Sequence, residues 1–271
     1  MAPSSVQSEP HLEVNGLSLA FGRTVILKDV SFSIRRGDIF IIMGGSGSGK
    51  STVLKAMTGL KPPREGRIVY QGRDLWTCAP AERSRMVRNW GILYQSGALW
   101  SSMTLAENVA LPLEQFTDRS RQEIKELVAF KLALVGLSDF GGYYPSELSG
   151  GMRKRAGLAR AIALDPDILF FDEPSAGLDP VSAKHLDDLI LELQAGLGST
   201  VVVVTHELAS IFAIGTNAAF LDAESRTVLD CGHPRQLLDQ TVHPKVRAFL
   251  TRDGSGCESE DHQTHSMTQH R

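Results

Sequence analysis

The stretch "GGSGSGKST", residues 44–52, carries the residue types of a phosphate-binding loop. Gly44, Gly49, Lys50 and Ser51 fit the spacing G-x-x-x-x-G-K-[S/T]. In such a loop backbone N–H groups surround phosphate oxygens, the lysine bridges the β and γ phosphates and the serine hydroxyl binds Mg²⁺. We therefore predict that the whole loop binds a nucleotide, through Gly44, Gly45, Ser46, Gly47, Ser48, Gly49, Lys50, Ser51 and Thr52.

Two adjacent carboxylates close the apolar run "DILFFDE", residues 167–173. Neighbouring residues on a strand point to opposite sides. Asp172 can therefore bind Mg²⁺ while Glu173 faces the attacking water of a hydrolysis reaction. An acidic pair at a strand end is also common in solvated turns, and the phosphate loop upstream favours the catalytic interpretation.

His206 and Gln95 complete the predicted catalytic set. His206 ends the third apolar run, "STVVVVTHE", and so should lie along the edge where the phosphates bind and contact the γ-phosphate. A core histidine is the alternative, whereas a zinc site of the form H-E-x-x-H is excluded because "HELAS" has no second histidine. Gln95 follows another short apolar run, where its amide could contact the Mg²⁺ shell.

A second anion site is predicted at the start of "LSGGMRKRAGLARA", residues 148–161. Ser149, Gly150 and Gly151 begin a helix, and a helix N-terminus attracts anions. Because the nucleotide already has its own loop, we expect this site to contact the γ-phosphate held by a partner molecule. The alternative is an ordinary helix cap. Apolar spacing places Met152, Ala156, Ala159 and Ala163 on one face and predicts that the basic side chains lie elsewhere on the helix surface: Arg153, Lys154, Arg155 and Arg160.

The elements that must position these residues form an α/β pattern. The apolar runs near residues 38–43, 167–173 and 199–207 predict buried parallel strands, and helical segments lie between them. Alternating residues over 11–38 and 66–75 predict an antiparallel layer before this core. The stretch after residue 97 is typical of a helical insertion, which gives a helical subdomain over about 97–160.

Composition narrows the class of protein. The 271 residues are 42% hydrophobic with a net charge of -3, which fits a globular domain and argues against nucleic-acid binding. Cys78, Cys231 and Cys257 lack metal-type spacing, as expected in a reducing compartment. We see no signal peptide or membrane span. Residues 1–10 and 252–271 are polar and predicted to be disordered, which leaves 11–251 as the folded domain.

From His11 to about Leu238 the sequence resembles the ATP-binding cassette (ABC) ATPases. The motifs occur in the family's order: "GGSGSGKST" resembles the Walker A loop, Gln95 the Q-loop, "LSGGM" the signature, "ILFFDE" the Walker B strand, "SAGLD" the D-loop and His206 the switch histidine. The resemblance implies the ABC ATPase fold, with a RecA-like parallel core, an antiparallel layer and a helical subdomain.

The resemblance also implies how ATP is held. Two copies of the chain sandwich two ATP molecules, each bound by one chain's Walker A loop and by the other chain's Ser149, Gly150 and Gly151. Asp179 of the D-loop is then a nucleotide-binding residue. Phe21 occupies the position where the family places an aromatic ring on the adenine, although a plain core phenylalanine is an equal alternative.

Met152 departs from the family pattern, because most cassettes have glutamine at this place in the signature. With "YQSGALW" and "DEPSAGLDPVSA" it resembles the ATPases of mammalian-cell-entry (MCE) systems, the organic-solvent-tolerance group, which transport phospholipids across the bacterial envelope. The alternatives are the ATPase of a small-molecule importer for amino-acid-like substrates and a non-transport cassette. An ATP-binding scaffold without hydrolysis is disfavoured because Glu173 is present.

The resemblance therefore predicts a peripheral ATPase on the cytoplasmic face of the inner membrane. Its expected ligands are ATP and Mg²⁺. Its expected partners are a second copy of the chain, integral membrane permease subunits and an MCE-domain lipid-binding protein. Residues Gly97 to Leu113 should line the groove that receives a cytoplasmic helix of the permease.

Overall fold

The computed structural model describes residues 10–252. Within this range the strands are β1 (Pro10–Phe21), β2 (Thr24–Arg35), β3 (Ile39–Gly44), β4 (Glu65–Tyr70), β5 (Arg73–Asp74), β6 (Trp90–Leu93), β7 (Ile168–Asp172), β8 (Thr200–Val204), β9 (Asn217–Leu221) and β10 (Val228–Gly232). The helices are α1 (Lys50–Met57), α2 (Pro80–Arg88), α3 (Leu105–Phe116), α4 (Arg121–Leu134), α5 (Gly150–Ala161), α6 (Pro180–Leu197), α7 (Leu208–Ile214), α8 (Pro234–Gln240) and α9 (Pro244–Thr251). The segments predicted to be disordered lie outside the described residues, apart from Pro10 and Arg252.

A mostly parallel sheet forms the centre of the fold. Its strand order is β10-β9-β3-β8-β7-β6, and only the β9–β10 pair within it is antiparallel. The three apolar runs become β3, β7 and β8, which are neighbours in this sheet. Uniformly apolar strands fit here because side chains on both faces are covered. The predicted α/β fold with a parallel core is therefore confirmed.

Alternation along the central strands divides the core into two layers. Phe40, Ile42 and Phe170 pack in the layer with the antiparallel sheet β2-β1-β4-β5. Ile41 and Phe171, their neighbours in sequence, point the other way and pack in the layer with α3, α4 and α5. Because successive side chains on a strand face opposite sides, strands of five or six residues are enough to hold both layers together.

The two helices between β6 and α5 begin with reciprocal caps. Thr104 and Glu107 form a capping box at α3, and Ser120 and Glu123 form one at α4. Each box pairs two backbone N–H groups that a helix start leaves unbonded. The buried Lys131 of α4 forms an ion pair with Asp165, in the connection between α5 and β7. No helix in the described part of the chain is both long enough and apolar enough to cross a membrane.

A buried polar network joins the antiparallel sheet to the central sheet. His11 Nδ1 lies 2.6 Å from Thr200 Oγ1, and Gln71 Nε2 lies 3.2 Å from His11 Nε2. The Tyr70 hydroxyl donates to Asp167 over 2.8 Å. Burial, assisted by the positive charge of Arg36, lowers the pKa of His11 to about 4. The His11 ring is therefore neutral in the folded protein, where it donates a hydrogen bond to one neighbour and accepts one from the other.

Because His11 is neutral in this network, we predict that the free energy of unfolding falls as the pH is lowered. The pKa of His11 is about 4 in the folded protein against 6.5 for a free histidine, so its contribution is complete above pH 6.5 and is lost as pH falls towards 4. Between pH 7.5 and 4.5 we expect the unfolding free energy of the wild type to fall by about 2.5 kcal/mol more than that of His11→Gln. Urea unfolding at both pH values measures this difference. An equal loss in both proteins would contradict it.

Candidate nucleotide-binding site

The loop between β3 and α1 is shaped by glycines that its geometry requires. Gly49 caps α1 in the left-handed conformation, with φ 91°. Gly44 has φ +148°, and a Cβ there would lie 2.2 Å from the Leu221 carbonyl oxygen. Any larger residue at either position would strain the backbone or displace a neighbouring strand. These two glycines therefore set the path of the loop from the end of a strand into the start of a helix, where anions bind.

Two buried polar side chains make the loop suitable for phosphate. Lys50 is 9% exposed, and its Nζ donates to the carbonyl oxygens of Gly44 and Gly45, each over 2.9 Å. Burial lowers the pKa of Lys50, and the carboxylates of Glu173 and Asp172 partly oppose this shift. The hydroxyl of Ser48 is buried and makes no hydrogen bond within the described chain. A phosphate oxygen would satisfy this hydroxyl and pair with the ammonium group.

Ser51 and Asp172 meet at the position predicted for Mg²⁺. Ser51 Oγ donates to Asp172 Oδ1 over 3.0 Å, and Ser51 and Gln95 line one cavity. Hydroxyl, carboxylate and amide oxygens are the donors that Mg²⁺ prefers. Residues 10–252 contain no cluster of three or more His, Cys, Asp or Glu side chains that could enclose a metal alone. The donor set fits an ion that shares its coordination with nucleotide phosphates and water.

Glu173 and His206 face each other beyond the ends of β7 and β8. Both carboxylate oxygens of Glu173 lie near His206 Nδ1, at 2.9 and 3.0 Å. Glu173 has φ 50°, an unusual conformation for a residue with a side chain, and its N–H donates to the Val204 carbonyl over 2.8 Å. Strained backbone of this kind persists where surrounding contacts hold it, often at functional sites. The turn places the carboxylate in the cavity instead of continuing the strand.

One cavity of about 980 Å³ joins these groups, apart from Gly44 and Asp172, which lie outside its lining. Its lining includes residues 45–52, Gln95, Glu173 and His206. Sequence reasoning missed another part of the wall: Glu207, Leu208, Ala248, Phe249 and Arg252. The last three lie at the end of α9, about two hundred residues from the loop along the chain. No local motif marked them, because only the return of the chain to this edge brings them here.

The Ser149 segment lies outside this cavity. Ser149 caps α5 and its Oγ accepts from the N–H of Met152 over 3.2 Å, so the predicted helix start is present. Ser149, Gly151 and Met152 line a separate cavity of about 290 Å³, together with residues of α6 such as His185. The structure therefore does not bring the second anion site to the chain's own phosphate loop.

The prediction that the basic side chains of α5 lie on the helix surface was wrong for Lys154. This side chain is only 6% exposed, and its Nζ donates to the carbonyl oxygens of Pro174 and Ala176, each over 2.6 Å. The 3.6-residue period alone cannot distinguish a solvated lysine from one whose ammonium group pairs with carbonyl groups of another segment.

Phe21 and Asp179 also lie outside the lining of the large cavity. Phe21 is 53% exposed, so the core alternative was wrong; Lys61 Nζ lies 3.8 Å from the centre of its ring. Asp179 caps α6 and accepts from the N–H groups of Val181 and Ser182. A hydrogen bond from the Ser182 side chain, followed by those from the N–H groups of Ser182 and Val181, lowers the pKa of Asp179. Contacts of Phe21 and Asp179 with a nucleotide stay predictions.

Comparisons with known proteins agree with this geometry. The family model described as "ABC transporter" matches residues 27–176, more than half of the chain. Over 239 residues the chain is 41% identical to the probable ribonucleotide transport ATP-binding protein mkl of Mycobacterium tuberculosis, covering 88% of this chain and 66% of that protein. The chain thus spans slightly less than two thirds of this longer relative.

Two further relatives differ in the transport process that their names give. The intermembrane phospholipid transport ATP-binding protein MlaF of Haemophilus influenzae is 38% identical over 245 residues, covering 90% of this chain and 92% of that protein. The methionine import protein MetN of Bradyrhizobium diazoefficiens is 38% identical over 224 residues, covering 83% of this chain and 64% of that protein.

A solved structure has the same architecture. It is the dimeric post-hydrolysis state of the ATP-binding cassette MJ0796 bound to ADP and Pi, with a TM-score of 0.74 and 30% identity. The match covers 82% of this chain and 98% of that one. The arrangement of strands and helices described above is therefore that of a nucleotide-binding cassette.

The hydrogen bond between Ser51 and Asp172 leads to a prediction about Mg²⁺-dependent nucleotide binding in Asp172→Asn. Removing the carboxylate charge should weaken binding of a non-hydrolysable ATP analogue by about 10-fold in excess Mg²⁺, because a ligand or supporting partner of the metal is lost. Affinity in EDTA should not fall. Titration calorimetry measures both conditions, with Asp188→Asn on α6 as the matched control. Equal weakening with and without Mg²⁺ would reject the metal assignment.

Proposed function

Because this chain belongs to the ABC transporter family, we propose that it is the ATP-hydrolysing subunit of a transporter that moves phospholipid or other hydrophobic compounds across the bacterial envelope. The observation that carries the hydrolytic part is the single cavity shared by the phosphate loop, Gln95, Glu173 and His206. Phosphate-binding groups and a carboxylate able to accept a proton from water are what ATP hydrolysis requires.

Each residue has a separate task in this proposal. Lys50 and the N–H groups of the loop bind the β and γ phosphates. Glu173 accepts a proton from the attacking water, and His206 holds the Glu173 carboxylate and contacts the γ-phosphate. Ser51, Asp172 and Gln95 would hold Mg²⁺, which supplies charge stabilisation to the phosphates when bound.

We propose further that two copies of the chain share each nucleotide. Ser149, Gly150 and Gly151 lie outside the chain's own nucleotide cavity, so in this proposal they contact ATP bound by the other copy. Apart from the chain neighbours and the backbone of α5 itself, an added Cβ at Gly150 or Gly151 would meet no atom of residues 10–252 closer than 3.8 Å, and neither residue has positive φ. The chain's own packing therefore does not require glycine, whereas close approach of a partner's phosphates would.

The similarity to MlaF favours phospholipid as the transported class. That relative matches over nearly its whole length, whereas the match covers 66% of mkl and 64% of MetN. Met152 in the signature supports the same subfamily. In this proposal the partners are permease subunits and an MCE-domain lipid-binding protein, and the chain works on the cytoplasmic face of the inner membrane. An amino-acid importer is the second candidate, because MetN is 38% identical.

A second groove offers a place for the permease. It encloses about 650 Å³ and includes Trp100, Leu111 and Pro112 from the predicted segment 97–113. Its lining also contains Phe116 and three arginines, Arg83, Arg88 and Arg160, and no acidic residue. Trp100 and Phe116 are exposed. We expect a cytoplasmic segment of the permease to insert apolar side chains between the rings and to present acidic ones to the arginines.

Glu173→Gln tests the hydrolytic mechanism. Glutamine keeps the shape of the side chain but cannot accept the proton, so turnover should fall by about 10²-fold or more. ATP affinity should be retained because the phosphate loop is unchanged. Steady-state hydrolysis and nucleotide titration measure the two effects, and Glu192→Gln, exposed on α6, is the control. Near-normal turnover in Glu173→Gln would reject the assignment.

If the permease binds in this groove, Arg88→Glu and Trp100→Ala should weaken its association with the chain. Both should reduce recovery of the permease with the tagged chain from native membranes, because one reverses a charge and the other removes an exposed ring. ATP binding by the purified chain should not change. Lys125→Glu, on the exposed side of α4, provides a charge reversal of equal size as control.

The same purification decides between the two transport candidates. Mass spectrometry of the wild-type complex should identify a permease and an MCE-domain protein, with phospholipid among the bound compounds. Recovery of a soluble amino-acid-binding protein in place of the MCE-domain protein would favour the importer.

For the groove, normal permease recovery with both Arg88→Glu and Trp100→Ala would reject the docking site.

A further inference from the structure

Lys154 joins the helix that begins at Ser149 to the segment that carries Glu173. Its Nζ lies 2.6 Å from the carbonyl oxygens of Pro174 and Ala176 and 3.4 Å from that of Glu173. All three acceptors belong to the segment that follows β7, which is the turn between the catalytic strand and α6. One side chain from α5 therefore contacts this turn at three of its four successive residues.

The surroundings of Lys154 suit a structural cation. An ammonium group has three N–H donors and accepts none, and the three carbonyl oxygens match this number. Burial lowers the pKa of Lys154, whereas the nearby Glu173 carboxylate favours the charged form. Hydrogen bonds from a charged donor are stronger than neutral ones, particularly where water is excluded.

The turn that Lys154 contacts has few other fixed points. Glu173 adopts φ 50°, and its N–H donates to the Val204 carbonyl. The N–H of Ala176 donates to the Glu173 carbonyl over 3.2 Å, and that of Leu178 to the Ser175 carbonyl over 3.1 Å. These bonds lie within the turn or at its start. Lys154 adds hydrogen bonds from α5 to the carbonyl groups of this turn, and His206 Nδ1 contacts the Glu173 carboxylate at its far end.

We propose that Lys154 is a positioning residue for ATP hydrolysis, holding the main chain of residues 173–176 so that the Glu173 carboxylate stays in the nucleotide cavity beside His206. The proposal rests on the proposed role of Glu173 as the proton acceptor. Lys154 itself lies outside the lining of that cavity. Its contribution is therefore to the rate of cleavage and not to ATP affinity.

Three single variants of the full-length chain separate these effects. Lys154→Met keeps the length of the stem without the donors, and should lower kcat by about 10-fold while leaving KM within about twofold. Lys154→Arg, which keeps the charge and donors, should restore most of the rate. Arg155→Met is the matched control, because Arg155 also donates to carbonyl groups, those of Val135 and Gly136. It should change kcat little.

A double-mutant cycle with Glu173→Gln gives the decisive test. If Lys154 acts through Glu173, adding Lys154→Met to Glu173→Gln should lower single-turnover cleavage by less than about twofold further. A further 10-fold fall would show independent action and overturn the proposal, as would unchanged kcat in Lys154→Met alone. If Lys154→Met fails to fold, Lys154→Gln, which keeps an N–H donor, takes its place in the cycle.

The cycle also distinguishes failure of this inference from failure of the proposed function. Near-normal hydrolysis in Glu173→Gln alone would reject Glu173 as the proton acceptor whatever Lys154 does. A large loss in Glu173→Gln together with a multiplicative loss in the double variant would keep that role and reject only the positioning by Lys154. Parallel loss of kcat and rise of KM in Lys154→Met and Arg155→Met would indicate general disturbance of α5, and would also reject it.

Discussion

The hydrogen-bond register of the parallel strands β3, β8 and β7 is the constraint on which the site depends. Val204 pairs with Ile42 on one side and Asp172 on the other. The carboxyl ends of the three strands therefore stop at the same edge, and the phosphate loop, the pair Asp172 and Glu173, and His206 follow from them. A shift of one residue in any strand would exchange its side chains between the two apolar layers and disrupt the packing of both. Packing on both faces therefore maintains the alignment of these groups.

Burial elsewhere stabilises local arrangements that are unfavourable by themselves. Lys50 is largely removed from water, the buried hydroxyl of Ser48 has no partner among residues 10–252, and Glu173 adopts a strained backbone conformation. Each would cost free energy in an isolated segment. Here all three follow the carboxyl ends of strands whose side chains are almost completely buried, and the packing of those strands offsets the cost. The site is thus prepared for a charged ligand before any ligand binds.

The phosphate loop and the Ser149 segment line separate cavities, and α5 connects the Ser149 segment to the turn after Glu173. The helix presents Ser149 away from the chain's own nucleotide cavity, while its buried Lys154 contacts the turn after Glu173. Lys131 of α4 is also buried, and pairs with Asp165 just before β7. Buried lysines therefore join the helices between β6 and β7 to segments at both ends of β7.

The sequence by itself determined the features that are local or periodic. Glycine spacing predicted the phosphate loop, uniformly apolar runs predicted the parallel strands, and their carboxyl ends predicted the edge where Asp172, Glu173 and His206 lie. Only the tertiary structure decided which distant segments meet there. It placed α9 in the wall of the cavity, exposed Phe21 and buried Lys154, none of which follows from neighbours along the chain. Periodicity specifies the face of an element on which a residue lies, whereas its partner depends on how the whole chain packs.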